Sequence, residues 1–177
     1  MDARIANTEK GDVAMARIEH SVVIERPVEE VFAYITDPAN DAAWNGPIVE
    51  TVQTSEGPMG VGTTMRSTAS FLGKRFDTDL EVTEYELNRR ECVRTVSGPI
   101  SGAGCYIVEP FEGGSRFTSV WEAEMGGFFK LAEPLVIRAG NRQTEADLAT
   151  LKDILEAGDQ GILSEDSPVS GDALRSG

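Results

Sequence analysis

Chemistry in this chain has few places to start. One histidine, His20, and two cysteines, Cys92 and Cys105, are its whole supply of imidazole and thiol. His20 alternates with Ile18, Val22 and Ile24 at the spacing of a half-buried strand, so its ring belongs to the inward set. An inward imidazole titrating near neutral pH can pass a proton to or from a bound molecule, which makes His20 the candidate catalytic group. The alternative is a core histidine held by a neighbour, since no partner is legible beside it. With one histidine and no C-x-x-C, a four-ligand zinc site cannot be assembled from Cys and His. The cysteines stand inside two strand-like segments and are expected as buried free thiols, although a disulfide between neighbouring strands is geometrically conceivable. Neither a metal nor a cofactor is expected.

Other charged residues read as surface. Thr63, Met65, Ser67, Ala69 and Phe71 alternate with Thr64, Arg66, Thr68 and Ser70; the first set is expected inward, as a wall of large and small side chains. With the parity reversed, Arg66 becomes an interior cation able to hold a carboxylate. Asp77, Asp79 and Glu81 alternate with Thr83 and read as a solvated sheet face rather than an acid/base pair. The glycine-rich stretch from Gly57 to Gly62 precedes a strand, whereas a phosphate cradle needs a following helix N-terminus.

Thirty acidic residues against sixteen basic ones give a net charge of −14. So acidic a surface repels phosphate backbones and anionic headgroups, which disfavours nucleic acid and charged membranes as partners. No apolar run reaches the roughly 18–20 residues that span a bilayer, so no membrane insertion is expected. The first residues lack the apolar stretch of a secretory signal, and a cytoplasmic location follows as the expectation.

These residues must be positioned by a single folding unit. Residues 1–15 read as a flexible leader, with Met15 a candidate alternative start, and 158–177 as a disordered tail rich in Gly, Ser, Asp and Pro. Between them, 16–157 forms one domain. It opens with a strand over Arg17–Glu25, then a helix entered at Pro27 with Val28, Val31, Phe32 and Ile35 on one stripe. Asp37-Pro38 ends that helix, and a second short turn crosses Ala39–Ala43. Strands follow at Ile48–Thr54, Thr63–Leu72, Arg75–Tyr85, Glu91–Val96, Cys105–Val108 and Arg116–Met125. Gly73-Lys74 reads as a two-residue type II′ loop. Glu133–Glu156 reads as one long helix with Pro134 in its first turn. This order describes an α+β domain with the helix packed on one sheet face.

Four stretches carry a family likeness: VVIERPVEEVFAYITDP with WNGPIVE, GVGTTMRSTASFLGKRFDTDLEVTEYELNRR, FTSVWEAEM, and ADLATLKDILEAG. Their order and spacing resemble the START-like helix-grip superfamily, and within it the SRPBCC group labelled polyketide cyclase/dehydrase. The resemblance implies a curved seven-stranded antiparallel sheet wrapping a long C-terminal helix, with two short helices after strand 1 and a cavity between sheet and helix. Members of the family bind lipids, sterols, polyketides, plant hormones and aromatic compounds. Some catalyse cyclisation or dehydration, and the family shares no catalytic motif.

The ligand-binding candidates follow from that fold. Trp44 stands where the family places a tryptophan before the second strand, either walling the pocket or anchoring the short helices. Met65 and Ser67 face inward on the third strand, and Phe117, Ser119 and Trp121 on the last, as pocket wall or as ordinary core. On the long helix, Ile137, Asn141, Thr144, Leu148, Leu151 and Leu155 form one stripe. Its leucine half closes a core, while Gly140, Asn141 and Thr144 are too small and polar to do so and should meet water or ligand. A stripe shifted to Val136, Ala139 and Gln143 is the alternative.

The leading function is binding of a hydrophobic small molecule, lipid-like or polycyclic aromatic, in an internal cavity. A polyketide cyclase or dehydratase using the same cavity is the alternative, with His20, Thr144 or Arg66 moving protons. A protein-docking module without ligand is the third.

Overall fold

The alternation through Ile18, His20, Val22 and Ile24 produces the first strand, β1 (Ala14–Ile24). It begins ahead of Arg17 because Ala14 and Met15 already pair with Met125 and Glu124, so the end of the expected leader belongs to the fold. The computed structural model describes residues 14–71, 73–125 and 129–157; the rest of the leader and the tail from residue 158 lie outside the described residues.

Pro27 stands just before helix α1 (Val28–Ile35), and its carbonyl accepts the Glu30 and Val31 amides at 3.1 and 3.2 Å. Val31, Phe32 and Ile35 are buried, as the stripe requires. The Asp37 carboxylate then accepts the Ala39 amide at 3.0 Å, turning the chain into a 3-10 turn (Pro38–Asn40) and the one-turn helix α2 (Asp41–Trp44).

Six strands complete the sheet: β2 (Ile48–Gln53), β3 (Thr64–Phe71), β4 (Lys74–Glu86), β5 (Arg90–Ser97), β6 (Gly102–Phe111) and β7 (Gly114–Met125). All neighbours are antiparallel, in the order β1-β7-β6-β5-β4-β3-β2. The register shifts at Ile48/Glu50, Asp79/Leu80 and Val82/Glu84, where β-bulges bend strands and help the sheet curve. Phe71 pairs with Lys74, so Lys74 belongs to β4 and not to the expected Gly73-Lys74 loop, and Gly73 before it has φ +76°. Between β4 and β5 the chain reverses through Asn88 at φ +61°, a left-handed geometry that asparagine tolerates.

Strand β6 begins at Gly102, paired with Ala123, ahead of the Cys105 start read from the sequence, where Gly102, Ala103 and Gly104 show no apolar alternation. Gly104 lies opposite Trp121, and a Cβ there would sit 2.5 Å from the indole, so the missing side chain makes room for the ring. The last helix, α3 (Phe129–Ala157), starts ahead of Glu133, which moves Pro134 out of the first turn. No helix among the described residues is long and apolar enough to cross a membrane.

Leu148 and Leu151 of α3 are buried against Ile24, Phe32, Val108 and Phe117 in the main core. Polar links fasten α3 to the end of β1: Lys152 Nζ donates to the Val23 carbonyl at 2.8 Å, and the Glu25 amide donates to Glu156 at 2.7 Å. The outer sheet face is charged and paired. Arg66 is exposed there and donates to Asp79 at 2.8 Å, Thr68 donates to Asp77 and Arg94 to Glu81, so Arg66 is no interior cation.

Cys92 and Cys105 face each other across β5 and β6 and form a disulfide, with Cα atoms 4.1 Å apart. This corrects the expectation of free thiols. Strand register, which spacing alone does not determine, sets the two side chains directly opposite. The Arg90 guanidinium covers them, donating towards Cys92 Sγ at 3.2 Å and Cys105 Sγ at 3.6 Å.

Candidate functional site

The small, polar first half of α3 cannot fill the space over the sheet, and a cavity of about 250 Å³ remains beneath it. Gly140 and Thr144 line it from the helix, Trp44 from α2, and Ser119 and Trp121 from β7. Tyr106 of β6 contributes a further wall. Trp44 does both jobs foreseen for it: it borders the cavity and packs edge-on against Tyr106 and Phe117, with centroids 5.8 and 6.1 Å apart. Its indole N–H is buried without a hydrogen-bond partner among the described residues. Asp147 closes one side, its Oδ1 accepting the Gly46 amide at 3.0 Å and the Gln143 side-chain amide at 2.8 Å.

A second void of about 40 Å³ lies nearby, and Tyr106 and Trp121 border both spaces. Met65 is part of its wall, as are Asp41 at the start of α2 and Glu91 of β5. Glu91 faces inward in phase with Val93, directly opposite Tyr106 on β6. Only 5% of Glu91 is exposed, and its Oε1 has no hydrogen-bond partner among the described residues. Burial, with the Asp41 charge adding to it, pushes the Glu91 carboxyl up to about 7. Burial likewise pushes Asp41 up to about 6, partly offset by a hydrogen bond to Thr51. The Tyr106 phenol is driven well above its ordinary range by burial and by Asp41, Glu91 and Asp147, while the Trp121 side chain hydrogen-bonds to it.

The other expected site residues stand behind these walls. His20 Nε2 and Asn141 Oδ1 are 2.8 Å apart, so the histidine has found the neighbour that spacing did not reveal, and Asn141 spends its polarity on β1. Ser67 is paired with Thr51 across β3 and β2, with the hydroxyls 3.2 Å apart, and Phe117 is fully buried core. Neither borders the two voids. The stripe on α3 is wider than expected, taking in Gln143 and Asp147.

Asp41, Glu91, Tyr106 and Asp147 escaped the sequence reading. The signal for Glu91 was its phase with Val93, and for Tyr106 its phase with Val108. The chemistry assembled here is two carboxyls that exchange protons near neutral pH, facing a small void beside two aromatic rings.

Solved structures share this architecture. A protein of Thermus thermophilus superposes with a TM-score of 0.70 at 19% identity, over 80% of this chain and 98% of that one. An aromatase/cyclase of a Streptomyces species gives 0.64 at 16% identity, over 87% and 99%. The di-domain aromatase/cyclase of the BE-7585A biosynthetic pathway gives 0.62 at 21% identity, over 79% of this chain and 46% of that one. At such identities the likeness is one of fold, the helix-grip arrangement. Among curated proteins, no sequence matches significantly. Residues 15–156 match the family described as polyketide cyclase / dehydrase and lipid transport, which spans every element from β1 to α3. The chain belongs to that family, within the SRPBCC superfamily.

Proposed function

We propose that this protein binds a hydrophobic small molecule, lipid-like or aromatic, between α3 and the sheet. The observation that carries this reading is the 250 Å³ cavity walled by Trp44, Tyr106 and Trp121, with Ser119 and Thr144 as polar handles. A docking module without ligand calls for a closed core, and the cavity weighs against it. Native mass spectrometry of the freshly purified protein, set against its denatured mass, tests the reading. A stoichiometric extra mass of apolar character is expected. A bare protein that also leaves Trp44 and Trp121 fluorescence unchanged under lipids and polycyclic aromatics would sink it.

A cyclase or dehydratase activity is the second reading, favoured by the near-neutral carboxyls of Asp41 and Glu91. One can take a proton from carbon while the other protonates a departing hydroxyl. Turnover of a β-hydroxy carbonyl substrate, abolished in Glu91→Gln with binding retained, would select it. In either reading the net charge of −14 makes nucleic acid an unfavourable partner. A cytoplasmic location belongs to the proposal and sets a demand on the Cys92–Cys105 bridge, which must then withstand a reducing pool.

A further inference from the structure

We propose that the smaller void is a cation subsite, in which Asp41 and Glu91 receive the protonated nitrogen of an amine-bearing ligand whose aromatic body fills the larger cavity. This rests on the ligand-binding reading and names the chemical class of its ligand.

The unpartnered oxygen carries the argument. Glu91 is 5% exposed and lines the void, and no group among the described residues donates to its Oε1. A buried acceptor left unpaired is unfavourable, and a buried carboxylate without a counter-charge more so. Asp41 borders the same void, and no Lys, Arg or His is among the described residues lining either space.

Three ligand chemistries can be weighed against that wall. A neutral apolar group leaves Oε1 unpaired. A carboxylate or phosphate adds negative charge beside Asp41, Glu91 and Asp147, all of which already bear on Tyr106. An ammonium supplies the missing donors and turns repulsion between the two carboxyls into attraction.

Size and surroundings agree. A void of about 40 Å³ admits a head group on the scale of one water molecule, not a ring. Tyr106 and Trp121 border both voids, and aromatic rings attract cations at their faces. The carboxyls' raised proton affinity marks a site whose counter-charge has not arrived.

The test uses matched probes with phenyl, naphthyl and anthracenyl bodies, each as methylamine, methanol and carboxylate. Calorimetry on the full chain at pH 7.5 and high salt suppresses long-range attraction by the acidic surface. At least one amine is expected to bind tenfold or more tighter than its alcohol, with the carboxylate weakest. Asp41→Asn and Glu91→Gln should each cut that preference below threefold, while the outer-face control Asp79→Asn leaves it intact. Should a variant misfold, the wild-type comparison still decides. Equal binding of amine and alcohol overturns the cation subsite and spares the cavity reading. Binding of no probe overturns the cation subsite, and the cavity reading falls with it only if lipids too fail to bind.

Discussion

At the scale of single residues, Asp41 and Glu91 govern how the protein responds to pH. Their carboxyls titrate ordinarily at 3.8 and 4.5 and in the folded protein at about 6 and about 7. Between about pH 4 and 7 the folded state therefore holds protons that the unfolded chain has lost, and stability falls as pH rises through that window. The loss for the pair should be up to about 6 kcal/mol by pH 8. Urea denaturation of the ligand-free protein across this range checks it: Glu91→Gln should flatten the profile and exceed the wild type at pH 8. A variant profile parallel to the wild type would mean that Glu91 is ionised and satisfied. Neither carboxyl was legible in the sequence as a site. Glu91 stands among Arg89, Arg90 and Arg94 and looks like one more surface charge, until pairing sets it opposite Tyr106. His20 was legible as inward, but its partner lies 121 residues away on α3, beyond any local pattern. Removing that partner by Asn141→Ala should cost about 1–2 kcal/mol, measurable as a lower urea midpoint.

At the scale of elements, α3 divides into two halves with separate duties. The sequence made this division visible, because leucines give way to Gly140, Asn141 and Thr144 along one stripe. Leu151→Ala should cost about 2–5 kcal/mol, as a buried leucine does, whereas Thr144→Val should change stability by less than about 1 kcal/mol while altering ligand affinity. Comparable losses for both would undo the division. Strand β6 shows where element reading stops. Its first residues, Gly102-Ala103-Gly104, offer one methyl group from which to read a period, yet Gly104 forms the floor under Trp121. Gly104→Ala should push the indole out of place, costing about 1–3 kcal/mol and shifting tryptophan emission. An unchanged spectrum would mean that the ring has another place to lie.

At the scale of the molecule, the α+β order and the strand count were legible because turns and alternation recur through the whole domain. Pairing across strands was not, which is why the Cys92–Cys105 bridge came as a correction. The bridge closes a short loop, with a sequence separation of 13, and replacing both cysteines by serine should cost up to about 3 kcal/mol. Thiol titration of the denatured, unreduced protein should find none free; two free thiols would mean the bridge does not form in solution. The sheet order has a consequence for synthesis. Strand β1 lies beside β7, so the first strand to leave the ribosome waits for the last before it can pair. The meander from β2 to β7 can zip up as it emerges, while β1 stays unmatched until Met125 and then α3 are out. The chamber is accordingly the last part of the molecule to come into being, and a cargo finds all of its walls only once α3 has emerged and docked.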